Sequence, residues 1–161
     1  MLRNLDFAIL APIPEEYLLA SRETIIAQLD AEIADPSIVL GTNEFEVLGE
    51  AQQKRDEKAV MVFVYASDPA ESSLNPSISW QAIYKGSTHS RRGRYTGNKL
   101  RRPEVSISPK DTWAVYWELL ELEPMKKPLP MDRFCQLGKK KNLGPRFLPK
   151  GPMLVDYPKS S

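Results

Sequence analysis

Between residues 91 and 102 the chain reads RRGRYTGNKLRR: six cations, one tyrosine and two glycines in twelve residues. An arginine fork meets phosphate oxygens bidentately, so Arg91, Arg92, Arg94, Arg101 and Arg102, with Lys99, are candidates for contacts to a phosphate backbone. Tyr95 offers a face on which a base can stack, and Gly93 and Gly97 would let the main chain approach a ligand. The plainer alternative is a solvated loop whose charges only keep the protein soluble. Lys139, Lys140 and Lys141, with Arg146 and Lys150, form a second basic segment, expected to flank the same surface. If four to six of these cations meet phosphates, affinity falls with salt at a log–log slope of roughly −0.7 per contact on a single strand.

Aromatic residues supply a second kind of chemistry. Trp80, Tyr84 and Trp113 are the expected walls of a base pocket, because tryptophans on neighbouring strands can hold a base by stacking, worth about 1–3 kcal/mol per base. Trp80 is the favoured wall, with the polar neighbours Ser79 and Gln81 beside it, whereas Trp117 reads as core. Tyr65 and Ser67 end their apolar run where a pocket rim would lie, with the Ser67 hydroxyl free to bond a base edge. The plainer alternative for those two is an ordinary strand end.

His89 is the single histidine. No carboxylate lies near it in sequence to orient the ring, so a catalytic triad has no support, and no cluster suggests a metal site. Together with Arg91, Arg92, Tyr95 and Lys99 it could still cleave RNA by acid–base catalysis with cationic stabilisation of the transition state. Cys135 is the single cysteine, which excludes an internal disulfide and argues against a thiolate metal site. No cofactor is expected.

The elements that must carry these residues are read from periodicity. Residues 113–122 (WAVYWELLEL) alternate with apolar side chains on both faces, the pattern of a central strand, and 60–66 and 78–84 have the same character. Residues 7–13 suit a first strand closed by Pro12 and Pro14. Pro14 then opens a helix with Leu18, Ile25, Ile26, Leu29 and Ile33 as its apolar face, ending at Asp35-Pro36. Residues 37–40 fit a short strand, and Asn43 with Glu46 reads as the start of a second helix over 44–57. The proline-rich stretch after residue 122 reads as a connector with at most one helical turn, 138–152 as loop, and 153–157 as a last short strand. The polar stretch 67–77 reads as an exposed loop and 159–161 as a frayed end.

A chain of 161 residues, 42% hydrophobic and 27% charged, fits one domain over residues 1–161. The net charge of +1 hides an asymmetry: residues 1–80 carry 5 Lys+Arg and 14 Asp+Glu, a net −9, while residues 81–161 carry 17 and 7, a net +10. An electropositive surface suited to a polyanion follows, unless the halves interleave. Asp6, Pro12 and Pro14 interrupt the N-terminal apolar stretch and nothing approaches a membrane span, so the expectation is a cytoplasmic protein. Helices first and strands afterwards favour an α+β domain whose sheet curls into a partly closed barrel, with two or three helices at its side.

AVMVFVYAS (59–67), ISWQAIY (78–84) and WAVYWELLELEPMKKPLPM (113–131) together resemble the PUA-like superfamily, the small β-barrel domains that include the EVE, ASCH and YTH families. The resemblance spans about residues 59–157, with 14–57 as a helical N-terminal part. It implies nucleic-acid binding, RNA or DNA, often through a pocket that accepts one base or modified base. A ribonuclease on the same scaffold and a protein-interaction domain for an acidic partner are the competing expectations.

Overall fold

The computed structural model describes residues 2–69, 76–110 and 112–159. Most of the loop expected over 67–77, and Ser160 and Ser161 of the expected frayed end, lie outside them. The elements are β1 (Phe7–Pro14), α1 (Glu15–Asp30), β2 (Ile38–Thr42), α2 (Phe45–Lys54), β3 (Val60–Ser67), β4 (Ser77–His89), β5 (Val115–Pro130) and β6 (Met153–Asp156). Six strands form one mixed sheet in the order β2-β5-β4-β3-β1-β6, so the fold is α+β. β1 and β3 run parallel, joined by a crossover that contains both α-helices and β2; the remaining neighbours are antiparallel. The sheet is not closed into a barrel: β2 and β6 stand at opposite ends of the order and do not pair.

Alternation buries both faces. Ile9, Ile13, Val62, Val64, Trp117 and Leu119 share one core with Leu18 of α1 and Leu48 of α2. Leu10, Met61, Phe63 and Ile78 face a second core closed by Met131 and Phe134. Register breaks in β4 and β5 then reshape the sheet. An extra residue at Ser79 sends Trp80 to the face of Val64 and Ile78 to the face of Tyr65, and Glu121, at φ 52°, marks a bulge in β5. Such bulges raise the local twist and bend the strand.

Four expectations are corrected here. β5 does not stop before the prolines. It runs on to Pro130, because β2 covers β5 only as far as Leu119, and beyond that point one edge has no partner strand among the described residues, the position at which a residue without an N–H is tolerated. α1 buries Leu18 and packs Ile25 on the core as expected, but Ser21, Thr24 and Gln28 are buried beside them while Ile26 and Leu29 are exposed. The buried groups are satisfied, Ser21 Oγ by Leu18 O, Thr24 Oγ1 by Ala20 O, and Gln28 by the main chain of Ser37 and Leu100. α1 also ends at Asp30, before Asp35-Pro36, since Glu32 adopts a left-handed φ of 59° and the Ile33 N–H returns to Gln28 O. Finally, Asn43 does not cap α2; its Oδ1 accepts the Ala114 N–H, tying the end of β2 to the entry of β5.

Candidate functional site

One cavity of about 270 Å³ gathers six separate segments. Pro12, Ile13 and Pro14 close it from the end of β1, Tyr17 from the first turn of α1, and Leu40, Gly41 and Thr42 from β2. Ser67 ends β3 at its wall, Arg102 and Ser106 come from the segment after the basic loop, Trp113 and Trp117 from β5 and its entry, and residues 150–152 from the strap before β6. β1 and β2 are separated by three strands in the sheet order, yet both contribute walls. α1 packs against both β1 and β2 and so bridges the two ends of the cavity.

The aromatic walls are held in defined places. Trp113 is half-buried and lies against Gly41: a Cβ at residue 41 would stand 2.7 Å from its Nε1 and closer still to Cγ and Cδ1. Only glycine allows the ring this seat. The Trp113 main-chain N–H donates to Gly93 O at 3.0 Å, and Trp117, buried in the adjoining core, is also among the cavity walls.

Both charges on the wall are positive. Lys150 is exposed at the rim, and Arg102 is half-buried. The Arg102 guanidinium sits 5.0 Å from the centre of the Tyr116 ring, Nη2 donates to Ser106 O at 3.3 Å, and Nε is buried without a hydrogen-bond partner. No described carboxylate forms an ion pair with it. Arg101 behaves in the opposite way. Its Nη1 donates to Asp35 O and to Ser37 Oγ, each at 2.7 Å, and stands 3.7 Å from Glu118 Oε2. It is a clamp that fastens the basic segment to α1 and β2.

Of the expected pocket residues, Ser67 and Trp113 reach this cavity and three do not. Tyr84 is fully buried in the core with Ala82 and Leu119, so it cannot stack on a base; burial pushes its phenol above the usual tyrosine range. Trp80 packs against the same core and is not among the cavity walls, because the bulge at Ser79 turns it there. Tyr65 packs on the opposite face of the sheet.

The basic loop is partly occupied with its own structure. Arg92 and Gly93 are both left-handed, at φ 54° and 82°, and close a tight turn in which Arg91 and Arg94 exchange main-chain bonds. Gly93 serves this turn and its packing against Thr112, and Gly97 packs beside the Tyr95 ring, so neither leaves room for a ligand as expected. Tyr95 leans on Tyr116, centroids 5.3 Å apart, and burial, followed by the charge of Glu118, raises its pKa. Tyr116 in turn donates to Gly93 O at 2.8 Å. Arg94 Nη2 donates to Pro109 O. Arg91, Arg92 and Lys99 are exposed.

Lys140 lies elsewhere. It lines a separate cavity with Arg133, Lys139 and Asp156, and Asp156 is in register with Phe7 at the far end of β1 from Pro12 and Pro14. His89 is exposed at the end of β4, opposite Val115, and is not a wall of the Trp113 cavity. The Cys135 thiol meets the carbonyls of Lys139 and Lys141, which shapes the lysine turn. Among the described residues no His, Cys, Asp and Glu group is arranged to hold a metal ion, and no helix is long and apolar enough to cross a membrane.

Tyr17, Gly41, Thr42 and Ser106 are the walls that periodicity did not reveal. Pro14-Glu15-Glu16, which fixes the helix start, was the signal that could have placed Tyr17 at a strand end. Comparison of the chain with protein-family models, with curated proteins and with solved structures finds no match in any of the three.

Proposed function

We propose that this protein is a nucleic-acid-binding module of PUA-like architecture that takes one extruded or modified base of RNA or DNA into the Trp113 cavity. The observation that carries the reading is the cavity itself: aromatic walls at Tyr17, Trp113 and Trp117, hydroxyls at Thr42 and Ser67, and two cations, in about 270 Å³. That volume is at the small end for ligand sites and suits one heteroaromatic ring system better than a drug-sized molecule. Contact of β1 and β2 with one cavity supports a sheet curled towards a barrel, as the resemblance implies. Exposed Arg91, Arg92 and Lys99 supply the sequence-independent attraction to phosphates.

The test is titration of fluorescent single-stranded RNA, single-stranded DNA and duplex at several salt concentrations, with an acidic protein as competitor at equal ionic strength. The expected result is salt-sensitive, saturable binding of a single strand that Trp113→Ala weakens by about tenfold or more, since stacking is worth about 1–3 kcal/mol per base. No binding at low salt, or preference for the acidic protein, would refute the proposal.

A further inference from the structure

The Trp113 cavity has an unusual balance of charge for an aromatic site. Its walls include Arg102 and Lys150 and no carboxylate. Aromatic faces alone favour a cationic ring, the principle of methyl-ammonium cages. Here the half-buried Arg102 opposes that preference: among the described residues no acid pairs with it, its Nε has no acceptor, and its side chain donates only from Nη2 to Ser106 O. A guanidinium carries five N–H donors and no acceptor, and in Arg102 the Nη2 bond to Ser106 O is the one side-chain hydrogen bond among the described residues. With no described acid paired to it, the Arg102 charge is left to attract an anionic or acceptor-rich group at the cavity wall.

We infer that the cavity selects a planar base by charge, accepting one with an anionic or acceptor-rich edge and rejecting one that bears a positive charge, with Arg102 as the residue that determines this specificity. The inference deepens the proposed base-binding role and rests on it. At the half-buried Arg102, repulsion between two like charges a few ångströms apart is stronger than the attraction of a cation to a ring face, so the cation on the wall decides the outcome. Modifications that add a carboxylate or a carbonyl are therefore favoured over those that quaternise a ring nitrogen.

Two nucleotide pairs, each differing only in the base, test this without altering the protein. Tryptophan fluorescence quenching reads the binding of guanosine monophosphate against N7-methylguanosine monophosphate, and of uridine monophosphate against orotidine monophosphate. Phosphate and sugar are common to each pair and cancel. The cationic methylguanine should bind at least about tenfold more weakly than guanine, and the orotate at least about tenfold more tightly than uracil, as expected for hydrogen bonds to a charged group. Arg102→Met should collapse both ratios. Because loss of Arg102 also removes its contact with Tyr116, Lys150→Gln, an exposed position, provides a second variant and should reduce the orotate preference with the fold unchanged. Methylguanine binding as well as guanine, or ratios unchanged in both variants, overturns the inference. Absence of quenching by all four nucleotides overturns it too. A labelled single strand measured in parallel separates the two levels: a strand that binds and is weakened by Trp113→Ala leaves the base-binding role standing when selectivity fails, whereas a strand that does not bind at low salt removes that role itself.

Discussion

Trp113 occupies the space that a side chain at Gly41 would fill, so the ring that walls the cavity is placed by the absence of an atom on the neighbouring strand. Gly41→Ala should push the indole off β2 and weaken single-strand binding by about tenfold, close to the effect of removing the ring. In a double-mutant cycle the Gly41→Ala and Trp113→Ala losses should not add, because both act through one ring. Full additivity would mean that Gly41 serves some other purpose.

Neighbouring arginines should separate into two classes. Arg101 is spent on Asp35 O, Ser37 and Glu118, so Arg101→Ala should cost about 1–3 kcal/mol of folding stability in denaturant unfolding. Arg91 and Arg92 are exposed, and their joint replacement by alanine should leave stability within about 0.5 kcal/mol while making the log–log salt slope shallower by roughly 1.4. A salt slope unchanged by the double replacement would place the phosphates elsewhere.

Tyr84 gives a pH signature. Burial raises its folded pKa above the ordinary value near 10, so the unfolded chain loses this proton first. The contribution to stability is therefore complete below about pH 10 and is lost as pH rises towards the folded pKa. Relative to Tyr84→Phe, the native protein should lose stability above about pH 10 and run parallel to it below. Parallel curves across the alkaline range would show that Tyr84 ionises as freely when folded as when unfolded.

His89 tests the ribonuclease alternative. It is exposed at the end of β4 and lies outside the cavity, so His89→Ala should leave strand affinity within about twofold, with the RNA intact after incubation with either protein. Cleavage by the native protein that His89→Ala abolishes would convert the binding module into an enzyme.

Strands at residues 7–13, 60–66 and 153–157 were legible because their alternation is local and their ends carry Pro or polar residues. Prolines 124, 128 and 130 misled because proline ends a paired strand but not one whose outer edge is free, and which edge is free depends on how far β2 reaches. α1 misled for a related reason. Gln28 is buried because Ser37 and Leu100, distant in sequence, satisfy its amide, so a polar residue lies where periodicity asks for an apolar one. At the site, Ser67 and Trp113 were legible as strand-end residues. Trp80 and Tyr84 were not distinguishable from them until the bulge at Ser79 and the full burial of Tyr84 fixed where each points. Gly41, just past the short strand expected over 37–40, is the seat of Trp113, which only the packing of β2 against the entry of β5 reveals.

The most direct test follows the three tryptophan indole N–H signals by NMR while a short single-stranded oligonucleotide is added. Base binding in the cavity should give saturable shifts at Trp113 and Trp117, which wall it, with Trp80 unmoved on the core face of β4. Shifts at Trp80 alone, or none at Trp113 when the strand is fully bound, would contradict base binding in this cavity.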